Sequence, residues 1–283
     1  MADDDFSDVL SECSDISYFS DLDLDSEQEL QSINFDLANG SPLECNNFNI
    51  VHYNIDSIMA EGRLEQLTKI CRILSISVLV LTETKLDQTI PNNLIMLNGY
   101  HEPVRRDRSK NGRNGGGVLV YIADHLIFEQ KIDFQADHFE HVWVDVKVRQ
   151  KVVSVNALYR PPNQTALDHG IFLDTAQDIL QRLTDYKKAS LKVVTGDLNF
   201  GNSYSKSINL NPKPLDSAAQ DLFVSFGFTQ LINIPTRLTE NTVSLIDLIF
   251  VDNQEDVACH GTLPKIADHE GIIVSFKFKS EKN

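Results

Sequence analysis

Short apolar segments of strand length dominate the chain from residue 48 onward, and they limit the folds that it can adopt. Eight of them are continuously apolar or alternate apolar with polar residues, as β-strands do. These eight occupy residues 48–55, 76–83, 115–123, 141–148, 151–159, 191–197, 243–251 and 271–278. Segments with helical spacing lie between them, at 62–74, 166–186 and 217–228. Hairpins mixed with strand–helix–strand units favour an α+β fold in which two packed sheets carry helices outside.

Charge divides the chain into two parts. Residues 1–45 contain 13 Asp and Glu and no Lys or Arg, whereas the rest contains 28 acidic residues against 25 Lys and Arg. The formal net charge of -16 therefore belongs mainly to the first part, and it does not exclude a nucleic-acid partner for the second. An Asp- and Ser-rich composition without regular apolar spacing predicts a disordered tail at 1–45 and a domain at 46–283. A solvating leader and a segment that folds on a protein partner both remain open for the tail.

Cysteine usage and hydropathy indicate the compartment. Cys13, Cys45, Cys71 and Cys259 are too far apart to form a C-x-x-C pair, which is typical of free thiols in a reducing compartment. The sequence shows neither a signal peptide nor an apolar run of membrane-spanning length. We therefore expect an intracellular monomer without membrane contact, which is nuclear if it acts on genomic DNA.

Carboxylates and amides stand where several of the apolar runs end. In "LKVVTGDLNF" Asp197 is followed two positions later by Asn199, and Asn54 and Asp56 form a second pair with the same spacing. Glu83 ends another run. Residues two apart on an extended chain point to the same side, so each pair is aimed at a common space. Each acid alone is typical of a turn or a cap, but the set is oxygen-rich and suits a hard cation such as Mg²⁺.

Other polar residues add charge and hydrogen-bond donors to this set. Asp247 lies inside the apolar run "SLIDLIF", where a carboxylate needs a partner, and His269 is available as one. Asp268 stands directly before that histidine. Tyr159 and Arg160 end a further strand and offer donors to a phosphate. Together the residues predict metal-assisted hydrolysis of a phosphate ester.

Six motifs resemble, in order and spacing, the endonuclease/exonuclease/phosphatase superfamily, which includes exonuclease III, the apurinic-site endonucleases and DNase I. The motifs are "HYNID", "LTETK", "YRPP", "TGDLNF", "SLIDLIF" and "ADHEGI". Each is weak alone and the ordered set is strong. The resemblance implies a DNase I-like, four-layered α/β sandwich of two mixed sheets flanked by helices. One departure is Ala267, where the superfamily usually has Ser.

The resemblance also implies roles for the residues around the phosphorus. Asp197 would orient and deprotonate the attacking water, and Asn199 would hold that water or the phosphate. His269 would stabilise the pentacovalent phosphorus, while Asp247 fixes the orientation of its ring. The remaining catalytic roles would fall to Tyr159, as a donor to phosphate, and to Asp268, near the metal or the leaving group.

Metal and nucleic-acid contacts are implied in the same way. The implied ligands of Mg²⁺, or of Mn²⁺ in its place, are Glu83, Asn54 and Asp56. The stretches "RRDRSKNGRNGGGVLVYI" and "YRPPN" resemble the endonuclease domains of non-LTR retrotransposons, which nick target DNA. Basic residues in and near these stretches would contact the duplex backbone. They are Arg106, Arg108, Arg113, Arg160 and Arg237.

Three functions therefore remain open. The first is a Mg²⁺-dependent DNA endonuclease that leaves a 5′-phosphate and a 3′-hydroxyl, as in LINE elements. The second is a phosphoesterase of the same scaffold with another substrate, as in inositol-phosphate phosphatases, sphingomyelinases and deadenylases. The third is a domesticated, non-catalytic nucleic-acid-binding relic. The intact acids and His269 favour catalysis, and the basic glycine-rich stretch favours DNA.

Overall fold

The computed structural model describes residues 47–108, 115–132, 140–162, 165–200, 214–240 and 242–279, together with strand backbone at 34–36 and 203–205. The helices are α1 (Arg63–Ile73), α2 (Ala166–Asp185) and α3 (Pro214–Ser225), with a 3-10 turn at Asn92–Leu94. The strands of the first half are β1 (Asn34–Asp36), β2 (Phe48–Asn54), β3 (Ile76–Thr82), β4 (Val104–Arg106), β5 (Val118–Ile122), β6 (Ile127–Gln130), β7 (Glu140–Val148) and β8 (Lys151–Tyr159). Those of the second half are β9 (Leu191–Asp197), β10 (Ser203–Ser205), β11 (Thr229–Gln230), β12 (Arg237–Leu238), β13 (Thr242–Ser244), β14 (Asp247–Val251), β15 (Val257–Leu263) and β16 (Gly271–Phe276).

Two large mixed sheets form the body of the fold. The first has the order β1-β15-β16-β2-β3-β5-β4 and the second β11-β14-β9-β8-β7-β6, while β10, β13 and β12 form a small third sheet. Each large sheet contains one parallel pair, β2 with β3 and β8 with β9. A parallel pair needs a crossover connection, which α1 supplies in the first sheet and α2 in the second. The prediction of two mixed sheets flanked by helices is confirmed.

Alternation along the strands divides the core into layers. In β2, Phe48 and Ile50 lie in the apolar cluster between the sheets, whereas Val51 and Tyr53 lie in the cluster beneath α1. A third cluster packs the second sheet against α2 and α3. Full burial of one such aliphatic or aromatic side chain contributes roughly 1.5–3 kcal/mol. Among the described residues, no helix is both long and apolar enough to cross a membrane.

Strand direction brings one end of both sheets together. The parallel strands β2 and β3 end at Asn54 and just before Glu83, and β8 and β9 end at Tyr159 and Asp197. Strand β14 is antiparallel to β9, so it begins at this end with Asp247. The polar residues that follow the apolar runs in the sequence are therefore gathered at one edge of the sandwich.

Strand β1 lies within the stretch that the sequence predicts as a disordered tail. Its three residues pair with β15 at the edge of the first sheet, in the register Asn34↔Thr262, Phe35↔Gly261 and Asp36↔His260. The rest of residues 1–46 lies outside the described residues. The domain boundary at 45/46 accordingly remains a prediction, and β1 gives it a direct test.

Two truncations should differ in thermal stability. Removal of residues 1–33 should leave Tm unchanged, because their apolar residues are scattered among Asp and Ser and lack the clustering that a packed core needs. Removal of residues 1–45 takes away β1, and each lost ladder hydrogen bond costs about 1 kcal/mol. Differential scanning calorimetry should show a Tm lower by about 2–4 °C for each kcal/mol lost. Equal Tm values for the two truncations would mean that β1 adds nothing to the fold.

Candidate active site

Polar contacts join the two large sheets at the end where these strands meet. The Nδ2 of Asn54, at the end of β2, donates to Oδ2 of Asp197, at the end of β9, over 2.9 Å. The hydroxyl of Tyr159, at the end of β8, donates to Oε1 of Glu83, just after β3, also over 2.9 Å. Burial raises the pKa of Tyr159, so its hydroxyl keeps the proton that it donates. Apolar contacts thus give way to cross-sheet hydrogen bonds at this edge.

A histidine–carboxylate pair forms the centre of the site. Nδ1 of His269 lies 2.8 Å from Oδ2 of Asp247, whose side chain is fully buried. Asp247 faces Asp197 directly in the β14–β9 register. One carboxylate oxygen from each aspartate and one ring nitrogen of the histidine all lie within 4.8 Å of one another. Three ionisable groups from separate parts of the sequence therefore share one small space.

Burial and mutual charge set the protonation of these groups. Burial raises the pKa of Asp197 well above its usual value, and the charge of Asp247 raises it further. Burial acts to raise the pKa of Asp247 too, but the charge and hydrogen bond of His269 lower it overall. For His269, burial lowers the pKa, but the same pair outweighs burial and raises it to about 9. Near neutral pH, Asp247 is thus an anion and His269 an imidazolium.

Several residues at this edge have left-handed backbone conformations that only glycine adopts easily. The φ angles are 42° at Asp56, 52° at Glu83, 54° at Lys85 and 48° at Asn199. Asp and Asn tolerate this conformation better than other residues, whereas at Glu83 and Lys85 it costs of order 1–3 kcal/mol and persists only where the surroundings impose it. Strain concentrated on the strand-end residues is typical of a functional site.

The glycine before Asp197 is required by close packing of the strands. Gly196 has a φ of 151°, and a Cβ there would collide with the backbone carbonyl of Leu158 on the parallel neighbour β8. The absence of a side chain lets β9 approach β8 closely where Asp197 begins the site. The "TGD" of the motif therefore has a structural as well as a chemical reason.

Oxygen donors at the site fit a hard divalent cation. Oδ1 of Asp197 is buried and has no hydrogen-bond partner among the described residues. Glu83 is half-buried nearby, with one oxygen on Tyr159. Carboxylate and amide oxygens are the ligands that Mg²⁺ accepts. His269 is a poor ligand in the same cluster, because its Nδ1 is held by Asp247 and its ring is protonated.

The predicted ligand Asp56 has a different environment. It is exposed, with half of its side chain accessible, and its carboxylate forms an ion pair with Lys85. The two residues lie on neighbouring connections, and Ser57 N–H donates to the Glu83 carbonyl between them over 2.8 Å. Asp56 is therefore beside the site rather than among its buried donors.

Asn199 and Arg160 hold each other in place. Asn199 Nδ2 donates to the Arg160 carbonyl over 2.8 Å, and the Arg160 guanidinium donates back to the Asn199 carbonyl over 3.0 Å. Arg160 is only 6% exposed; its guanidinium stacks 4.7 Å from the Phe172 ring centroid and contacts Nδ1 of His169 at 2.9 Å. Such burial suits a residue that positions the Asn199 loop rather than one that contacts nucleic acid.

Two of the predicted basic residues flank the site and have acidic partners. Arg108 forms an ion pair with Glu140, and its guanidinium carbon lies 5.5 Å from the Tyr159 ring centroid. Arg237 pairs with Asp268, with 3.0 Å between Nη2 and Oδ2. Both arginines are partly exposed. Each arginine thus lies next to a predicted site residue, Tyr159 or Asp268, and is placed to contact a bound polyanion.

Of the other two predicted arginines, the structure describes Arg106 alone. Arg106 ends the edge strand β4 and is partly exposed. Arg113 belongs to the segment 109–114, which lies outside the described residues.

The site also contains residues that were not among the predicted ones. His52 is fully buried and its Nδ1 lies 3.6 Å from Oδ1 of Asp247. Thr236 Oγ1 accepts the backbone N–H of Asp247 over 3.2 Å. Glu140, which accepts from Arg108, also accepts the Gly117 N–H. The sequence signal for His52 was a polar residue on an otherwise apolar strand face.

Comparison with known protein families matches the sequence that forms this site. The profile of the Endonuclease/Exonuclease/phosphatase family matches residues 51–269, most of the chain. The chain belongs to this family. Membership confirms the resemblance drawn from the six motifs, and it identifies an enzyme of the nuclease and phosphatase class, which hydrolyses phosphate esters. No match was found among curated proteins.

Several nucleases of known structure have a fold similar to that of this chain. The endonuclease domain of TRAS1, a telomere-specific non-LTR retrotransposon, has a TM-score of 0.62 at 14% identity, covering 82% of this chain and 98% of that one. The AP endonuclease LMAP from Leishmania major has a TM-score of 0.66 at 14% identity, covering 82% and 88%. The 3'-5' exonuclease NExo from Neisseria meningitidis has a TM-score of 0.63 at 15% identity, covering 82% and 100%. At these identities the likeness shows a common fold.

Proposed function

We propose that the protein is a Mg²⁺-dependent DNA endonuclease of the non-LTR retrotransposon type, which leaves a 5′-phosphate and a 3′-hydroxyl. The observation that carries the proposal is the convergence of Asp197, Asp247 and His269 within 4.8 Å at the edge where both sheets end. The retrotransposon-like motifs and the fold shared with the TRAS1 endonuclease domain support the choice of substrate.

Asp197 is the proposed base for the attacking water. Asn54 holds one of its carboxylate oxygens, and the other has no hydrogen-bond partner among the described residues and can accept the proton of a water. Asn199 would orient that water or the phosphate from the next turn. Glu83 and Asn54 would hold the cation, with Asp56 beside them. When bound, the cation supplies positive charge that lowers the pKa of neighbouring carboxyls and neutralises charge on the phosphate.

His269 is the proposed stabiliser of negative charge on the pentacovalent phosphorus. Asp247 fixes the ring through Nδ1, which leaves Nε2 as the nitrogen that faces substrate. Tyr159 would transfer its hydrogen bond from Glu83 to a phosphate oxygen. Asp268, held by Arg237, would lie near the leaving group.

The duplex is proposed to lie across Arg108 and Arg237, which contact Tyr159 and Asp268 respectively. Their contacts would be with backbone phosphate, which gives affinity and position without reading bases. Arg106 would extend this surface, and Arg113 is proposed from the sequence as a further contact to backbone phosphate. The acidic tail is proposed to bind a protein partner.

A plasmid assay tests the proposal. Supercoiled DNA with Mg²⁺ or Mn²⁺ should become nicked circles that DNA ligase reseals, because resealing needs a 5′-phosphate and a 3′-hydroxyl. EDTA should abolish nicking. Thermal-shift titration gives a readout apart from activity: Mg²⁺ should raise Tm, and Glu83→Gln should weaken that rise because it removes a proposed ligand charge.

Each alternative has a distinct outcome in these assays. Nicking that persists in EDTA would contradict the metal-dependent mechanism. Hydrolysis of a phosphomonoester without nicking would favour a phosphoesterase with another substrate. A protein that binds DNA and Mg²⁺ but hydrolyses neither substrate would favour the non-catalytic alternative.

A further inference from the structure

His52 occupies a position in β2 that faces the apolar core between the two sheets, where an apolar residue is usual. Phe48 and Ile50 precede His52 on the face that packs against the second sheet. In the ladder, His52 lies between Val80 of β3 and Ile272 of β16, both fully buried. Its own exposure is 0%. Burying an imidazole among such neighbours costs free energy unless its nitrogens find partners.

Both ring nitrogens of His52 face polar atoms. Nε2 lies 3.0 Å from Oγ1 of Thr82 on β3. Nδ1 lies 3.6 Å from Oδ1 of Asp247, across the interface between the sheets. Neither Nδ1 nor Oδ1 has a hydrogen-bond partner among the described residues. Because His269 takes the other oxygen, the Asp247 carboxylate lies between two imidazoles.

The surroundings decide which nitrogen of His52 carries the proton. A carboxylate oxygen can only accept a hydrogen, so the nitrogen that faces Oδ1 of Asp247 is satisfied only as a donor. A proton on Nε2 would point the Nδ1 lone pair at an anionic oxygen and leave both buried atoms unsatisfied. A proton on Nδ1 points a donor at that oxygen, and the Thr82 hydroxyl then donates to Nε2. At 3.6 Å the contact with Asp247 is a charge–dipole attraction rather than a hydrogen bond.

We propose that His52 is a positioning residue, whose Nδ1–H faces Oδ1 of Asp247 and holds that carboxylate in the orientation in which Oδ2 receives His269. Its effect on catalysis rests on the proposed function, whereas the arrangement itself does not. A carboxylate fixed at both oxygens cannot rotate away from His269, and a fixed partner keeps the catalytic ring in one orientation. The histidine thus connects the packed core between the sheets to the site.

The protonated nitrogen can be observed directly in the full-length protein. Two-bond ¹H–¹⁵N correlation spectra distinguish the two neutral forms of a histidine, and the His52 signals are those missing in His52→Asn. We expect a proton on Nδ1 at pH 7. A proton on Nε2 would overturn the proposal whether or not the protein nicks DNA.

Two variants separate positioning from packing. His52→Leu keeps an apolar volume but no donor, and His52→Asn keeps an amide donor close to the place of Nδ1. We expect the Leu variant to lower kcat for nicking roughly 10- to 100-fold with KM nearly unchanged. It should also weaken the downfield Nδ1–H resonance of His269, which Asp247→Asn identifies by its loss. The Asn variant should restore most of kcat and most of the His269 resonance.

His141 supplies a matched control. It is also fully buried with its pKa lowered to about 4 by burial, but its Nε2 contacts Asn156 at 3.1 Å within the second sheet. His141→Leu should change Tm while leaving kcat and the His269 resonance intact. A His52→Leu protein with normal kcat and a normal His269 resonance would show that His52 only fills space. If the unmodified protein does not nick DNA, the proposed function fails, and the two resonances still decide this inference.

Discussion

Asp197→Asn is expected to reduce nicking by about 10²–10⁴-fold while DNA binding persists. The amide keeps the shape of the side chain and an oxygen that can accept from Asn54, but it cannot take a proton from water. Single-turnover nicking measures the chemical step, and fluorescence anisotropy with a labelled duplex measures binding. Normal nicking by the metal-loaded variant would mean that Asp197 is a structural acid at a strand end, and the site would have to be withdrawn.

Asp252→Asn is the matched control for this experiment. Asp252 lies just beyond the opposite end of β14, where it accepts the backbone N–H of Lys192 over 2.8 Å and pairs with its ammonium at 2.9 Å. The variant loses the same charge from the same pair of strands. We expect nicking to be unchanged. This result would show that the Asp197 variant is slow because Asp197 lies at the site, and not because the β9–β14 pair has lost an acidic residue.

The polar residues at the edge of the sandwich could be predicted from the sequence for two reasons. They end or interrupt apolar runs, and a buried carboxylate without a partner costs free energy. Asp247 stood inside an apolar run, and the cost of an unpaired buried carboxylate pointed to His269, which the structure places 2.8 Å away. Asp197 and Glu83 ended apolar runs that became β9 and β3. Parallel pairing then brought the ends of these strands together, as connections through α1 and α2 require.

Features set by non-local contacts could not be predicted in the same way. Strand β15 reads "VACHGTL", with His260 and Gly261 interrupting any alternation, and it is a strand because β1 and β16 pair with it on both sides. The predicted run 243–251 divides into β13 and β14, which join different sheets. Arg160 looked like a surface cation, and only the packing of α2 against the second sheet buries it over Phe172.

Asp247→Asn is expected to have an effect of similar size, about 10²–10⁴-fold on nicking. The amide can donate to His269, which would favour the wrong tautomer, and it removes the negative charge that raises the pKa of that histidine from 6.5 to about 9. Since burial still acts to lower it, we expect the pKa to fall toward 6.5. NMR titration measures this change. An unaltered His269 pKa would contradict the assignment of Asp247 as its partner.

The same pair gives the stability of the protein a defined pH dependence. Because the folded-state pKa of His269 is raised, its contribution is fully present below pH 6.5 and is lost as pH rises through about 9. The folded-state pKa of Asp247 is lowered, so the contribution of Asp247 to stability is present above pH 3.8. It is lost as the pH falls through that lowered pKa. The pair therefore stabilises fully between pH 3.8 and 6.5, and the shift of His269 corresponds to about 3 kcal/mol. The Tm difference between the unmodified protein and Asp247→Asn should be largest in that window and shrink toward pH 9. A difference that stays constant across this range would show that Asp247 stabilises the fold by packing, without charging His269.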